Sequence, residues 1–102
     1  GDKMKQHEYQ ISVKHVKDQH GEPSIYTDEL VFAAYNHDDI FQILERLKDS
    51  DFLEDEKMKA FIIGLKLFGE TLLENKDKPL FKAFLPQFIG FVKEFKATSQ
   101  IK

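Results

Sequence analysis

From Glu8 to Val16 apolar and polar residues alternate: Tyr9, Ile11 and Val13 fall on one face, Gln10, Ser12 and Lys14 on the other. That period of two is the pattern of a half-buried strand. A second run, from about Ile25 to Tyr35, sets Leu30, Phe32 and Ala34 against Glu29, Val31 and Ala33, and both its faces are partly apolar at its end. Between the runs, Asp18-Gln-His-Gly-Glu-Pro-Ser24 supplies turn residues. The two runs therefore predict a β-hairpin with a long exposed loop.

The period then changes to that of helices. Asn36-His-Asp-Asp39 reads as a helix start, with Asn36 as N-cap and Asp38 and Asp39 in the first turn. The first helix is predicted over 37–49, with an apolar stripe of Ile40, Phe41, Ile43, Leu44 and Leu47. An acidic link containing Phe52 and Leu53 leads to a second helix over 55–75. There Met58, Phe61, Leu65, Phe68 and Leu72 step by 3, 4, 3 and 4 along one seam, while Ala60, Ile63, Gly64 and Leu67 form a second apolar side. Lys59, Lys66, Glu70 and Glu74 are left as its polar strip. A helix apolar on two sides is buried between layers, which makes this one the centre of the domain.

After Asn75-Lys-Asp-Lys-Pro79 the same seam recurs as Phe81, Phe84, Phe88, Phe91 and Phe95. Two matched seams across a short polar loop predict an antiparallel helical hairpin with Phe68 and Phe88 fully buried. Pro86 interrupts the last helix and predicts a kink or break near residues 84–86. The fold class is α+β: an N-terminal β-hairpin followed by three helices, ββααα, in one domain over residues 6–96. Residues 1–5 read as a start remnant, with Met4 as the natural first residue, and 97–102 as a frayed tail.

Composition narrows the class. With 102 residues, 41% apolar and 32% charged, the chain matches one folded domain and neither a disordered tail nor a membrane span. It has no cysteine, so neither a disulfide framework nor a thiol nucleophile enters. With no signal-peptide pattern, the expected location is cytoplasmic. A net charge of −3 argues against nucleic-acid binding by general electrostatics. The charge is uneven: 4 basic and 6 acidic groups in residues 1–35, 3 and 8 in 36–57, and 8 and 4 in 58–102. Solvated helix faces account for this, and a head-to-tail contact between acidic and basic surfaces is the other reading.

The stretches Asn36-His-Asp-Asp-Ile-Phe41 and Gly64-Leu-Lys-Leu-Phe-Gly-Glu-Thr-Leu-Leu-Glu-Asn75, followed by Lys78-Pro-Leu-Phe81, resemble a family of short bacterial proteins recognised as an uncharacterised domain. The resemblance spans roughly residues 5–96. It implies a soluble, single-domain, bacterial cytoplasmic protein, and it carries over no catalytic or binding residue.

The residues offer little chemistry of their own. His7, His15, His20 and His37 lack partners at metal-ligand spacing, so no metal site is expected; an approach of His15, His20 and Glu22 around the hairpin loop is equally well an ordinary turn. His37-Asp38-Asp39 could serve acid–base catalysis but reads more simply as capping. No catalytic residue and no cofactor are expected. Gly64 and Gly69, mid-helix, imply close approach of a neighbour, expected to be the hairpin or the first helix, with the alternative that Gly64 and Leu67 face a second subunit or line a ligand channel.

Function is therefore expected to be non-enzymatic, through protein–protein contacts, as a homodimer joined either by the strand edges of the two hairpins or by helices, with Ile63, Leu67 and Ile89 as candidate interface residues in the second case. The alternative is a carrier or sensor of a small apolar ligand held by Phe61, Phe68, Phe84, Phe88 and Phe91. No nucleic-acid or membrane partner is expected.

Overall fold

The computed structural model describes residues 5–99, so most of the start remnant and residues 100–102 lie outside the described residues. The architecture is α+β, with the order β1 (His7–Val13), β2 (Leu30–Asn36), α1 (Ile40–Leu47), α2 (Asp55–Glu74) and α3 (Pro79–Ser99). The strands pair antiparallel with His7 opposite Asn36, Ile11 opposite Phe32 and Val13 opposite Leu30. Both strands are shorter than their alternation predicts, because residues 14–29 form a connection with its own small turn. In that turn the Asp18 carboxylate accepts hydrogen bonds from the His20 and Glu22 amides, and Gly21 takes φ +81°. The αL region is open to glycine without steric penalty.

The start of α1 corrects the expected cap. Asn36 is the last residue of β2, and Asp39 is the N-cap, its side chain accepting from the Gln42 amide. Asn36 is instead 5% exposed and drawn inward. Its Nδ2 donates to the Lys66 carbonyl of α2 at 3.1 Å and its Oδ1 accepts from the Asp38 amide at 2.9 Å. Buried amides of this kind are retained by their bonds. Tyr9 adds a second tie: its hydroxyl donates to the Asp38 carbonyl and accepts from the Ile40 amide, both at 2.9 Å. The start of α1 is thus held by two strand residues as well as by its cap.

The core lies where α1, α2 and the far end of α3 meet, as a cluster of Ile40, Leu47, Met58, Ile62 and Phe95. Ile62 and Leu72 are fully buried. Phe88 is buried at 9% exposed, short of the full burial expected, and Phe68 is 45% exposed, so the expectation is corrected most strongly there. The reason is at Gly69. The Phe88 ring reaches within 2.9 Å of where a Cβ at position 69 would stand, so α3 seats over Gly69 and leaves Phe68 at the margin of the contact. The neighbour Gly69 accommodates is therefore α3, not the hairpin or α1. A Cβ at Gly64 would meet nothing within 4 Å.

Helix α3 is continuous from Pro79 through Pro86 to Ser99, so of the kink or break expected near 84–86 the break is absent, and residues 97–99 are helical. Pro86 and Lys82 are both exposed, and water can satisfy the Lys82 carbonyl that the proline leaves without a donor. Among the described residues no helix is long and apolar enough to cross a membrane.

Candidate functional site: a groove and an aromatic face on the helical hairpin

Two surfaces of the α2–α3 pair stand out. The first is a groove of about 340 Å³ where the β2–α1 turn meets the two helices. Leu65, Leu73, Phe88, Ile89 and Val92 give it an apolar floor, and Lys93 and Lys96 stand on its α3 side. Asn36, His37, Asp38, Lys66 and Glu70 form its polar end. Lys66 Nζ donates to Asp38 Oδ2 at 2.7 Å, and His37 Nδ1 lies 3.6 Å from Glu70 Oε1. The hydrogen bond from Lys66 holds the Asp38 carboxyl below its ordinary value of 3.8; burial opposes this, and the charges of Lys66, Lys96 and His37 assist it. Asp38 is therefore a fixed anion at neutral pH, engaged in pairing and not poised for proton transfer.

Lys66 and Glu70 belong to the strip that periodicity assigns to solvent, yet they face the β2–α1 turn. Their four-residue spacing sets them one turn apart on one helix face, and this was the available sequence signal. The turn itself was legible only as a cap.

The second surface is aromatic. Across the α2–α3 seam Phe68 pairs with Phe84 at 6.0 Å between ring centres and with Phe88 at 5.7 Å, while Phe61 pairs with Phe91 at 6.2 Å and with Phe95 at 5.0 Å. These are favourable ring–ring separations. Phe68, Phe84 and Phe91 nonetheless remain 45%, 40% and 50% exposed. Of the five phenylalanines considered for an enclosed pocket, only Phe88 lines the groove. Phe68, Phe84 and Phe91 form this open face, because a two-helix layer wraps its seam from one side only, while Phe61 is partly buried against the core cluster. The candidate interface residues are dispersed: Ile63 packs on the core cluster, Leu67 lines a cleft beside β2, and Ile89 lines the groove.

The histidines do not converge. His7 stacks on Tyr9, His15 hydrogen-bonds Ser24 and sits edge-on to Tyr26, and His20 neighbours Gln19 in the loop. Among the described residues no group of three His, Cys, Asp or Glu side chains is placed to hold a metal ion.

A two-stranded hairpin backed by three helices, with a groove and an aromatic face on the helical pair, defines the class of domain. The chain belongs to the DUF3861 family, a domain of unknown function with a solved structure, whose profile matches residues 7–97. It is similar to a protein of unknown function from Pectobacterium atrosepticum SCRI1043, whose crystal structure was determined at 2.20 Å resolution. The two share 35% identity with a TM-score of 0.76, over 90% of this chain and 98% of that one. A search of curated proteins gave no match.

Proposed function

We propose that the chain is a small cytoplasmic protein that acts without catalysis, through protein–protein contacts, and that it pairs with a second copy of itself. The observation that carries this reading is surface area. The chain exposes 8263 Å², against roughly 6,000 Å² for a compact monomer of its 12.0 kDa mass. Its radius of gyration is 15.9 Å, where about 13 Å is usual for this length. Part of the excess belongs to the exposed 14–29 connection and part to large apolar side chains, among them Leu30, Phe32, Phe41, Leu80 and Phe91. Scattered apolar side chains are normal on a monomer, but the exposed rings of Phe68 and Phe84 adjoin across the α2–α3 seam, and a contiguous exposed apolar patch marks an interaction site. Sedimentation equilibrium at micromolar concentration tests the reading: a species of twice the chain mass supports it, and a single species at 12.0 kDa with no concentration dependence overturns it.

The groove favours a second reading, a carrier of an amphiphilic anion. Its apolar floor would take a short hydrocarbon chain, and Lys93 and Lys96 would face the charged end. Calorimetric titration with decanoate separates the two readings, since saturable binding with one site per chain favours the carrier and heats of dilution alone remove it.

A further inference from the structure

We infer that the second copy seats on the aromatic face of the α2–α3 hairpin, with Gly64 at the point of closest approach between the two chains. This rests on the homodimer reading above and specifies its surface.

The first observation is that the space beside Gly64 is left empty by its own chain. It lies in the middle of a helix running from Asp55 to Glu74, where glycine is about 1 kcal/mol less favourable than alanine. At Gly69 the Phe88 ring explains the missing side chain; at Gly64 a Cβ would meet nothing within 4 Å. Gly90 of α3 is equally open, but Gly64 lies between the exposed rings of the aromatic face, where a bare backbone admits a neighbour from outside the chain.

The second observation is what surrounds it. Phe61 and Phe68 stand three residues before and four after Gly64, on the same face of α2. Across the seam their ring partners Phe91 and Phe84 belong to α3 and are half-exposed on the same side. Ala60 and Thr71 continue the α2 side, and Leu80 and Gln87 the α3 side, all exposed. From Ala60 to Thr71 this face carries no charge, in a chain that is 32% charged.

Relief and area then select the occupant. Rings that project beside a hollow at Gly64 make a surface that a two-fold axis can fit to itself, ring into hollow, twice. Stacking two such hairpins makes a four-helix layer. A stable dimer needs roughly 800 Å² from each partner, and on this face the exposed parts of Phe68, Phe84, Phe91 and Leu80 are apolar area available toward it. A bilayer would take up the rings but has no use for the hollow, and the chain's net charge of −3 opposes anionic headgroups. Since the face is uncharged, association should change little with ionic strength, unlike a head-to-tail contact of acidic and basic segments.

The test compares the parent with Gly64→Leu, Phe84→Arg and, on the hairpin, Val13→Arg, by sedimentation equilibrium at low and high salt. Gly64→Leu adds a helix-favouring side chain where its own chain leaves space, so the protomer stays folded. Its dimer dissociation constant should rise about tenfold or more as the hollow fills. Phe84→Arg should do the same, and Val13→Arg should leave it unchanged. A parent that is monomeric overturns the homodimer reading and this inference with it; should that monomer co-sediment with vesicles of phosphatidylcholine and phosphatidylglycerol, the face belongs to a membrane. A parent dimer that survives Gly64→Leu and Phe84→Arg but dissociates with Val13→Arg overturns the inference alone and moves the contact to the hairpin.

Discussion

Phe88 of α3 stands over Gly69 of α2 so closely that its Cζ lies 2.9 Å from the point a Cβ at position 69 would occupy. The ring is buried and bordered by Phe68 and Phe84, so a Cβ at 69 displaces it from that packing toward the groove it lines. Gly69→Ala should therefore lose about 1 kcal/mol, although an exposed helical glycine would gain about that much from the same change. Urea denaturation checks it, and a gain in midpoint would mean that the ring moves aside freely.

Phe88→Ala, which empties the same site, should lose about 3–5 kcal/mol, and Ile62→Ala about 2–5 kcal/mol. Phe68→Ala should lose clearly less than Phe88→Ala when both are measured below the concentration of association, because half of its ring already meets water. Equal losses for Phe68 and Phe88 would contradict the packing described.

Two side chains near the start of α1 do different work. Asp39→Ala removes the cap bond to the Gln42 amide and should cost about 1 kcal/mol. Asn36→Ala frees a buried amide and a helix carbonyl at once, and we expect about 1–3 kcal/mol. Asn36→Asp separates the two bonds, since the carboxylate still accepts from Asp38 N–H but turns an acceptor toward the Lys66 carbonyl. Thermal melts should rank it no better than Asn36→Ala.

The Asp38–Lys66 pair predicts a pH dependence of defined sign. The folded carboxyl is held below its unfolded value near 3.8, so the folded chain binds fewer protons than the unfolded one as pH approaches that value. The stabilisation is complete above the unfolded value and is lost as pH falls through the folded one. Asp38 is about half exposed, so the pair contributes under about 1 kcal/mol. Melts from neutral pH down to about pH 3 should show Asp38→Asn less stable than the parent at neutral pH, with the gap closing below about pH 4.

The hairpin, the three helices and the matched Phe seams follow from periodicity, because each strand and helix buries one face of its own repeat. The depth of burial along α2 does not. Its seam centres on Phe61 and Phe68 when α3 alone is considered, but α1 packs one position round, so Ile62 becomes the fully buried residue. A helix apolar on several sides does not reveal which neighbour claims which side. The groove escaped for a related reason: Asn36, Lys66 and Glu70 meet only after β2 has been laid along α2, and no local spacing encodes that contact. Gly64 was legible as a question, and the fold answers it by showing that nothing in the same chain occupies the space.

The hydroxyl of Tyr9 bears also on the order in which the chain assembles. Helix α1 has eight residues, too few to persist alone in water, and its first amide and the carbonyl of Asp38 are both bonded by a side chain some thirty positions earlier in the chain. The helix is thus a dependent of the strand. Amide exchange from α1 should follow the opening of β1 with a common free energy, as one cooperative unit, and Tyr9→Phe should uncouple them, letting α1 exchange through local fraying while the α2–α3 pair keeps its protection.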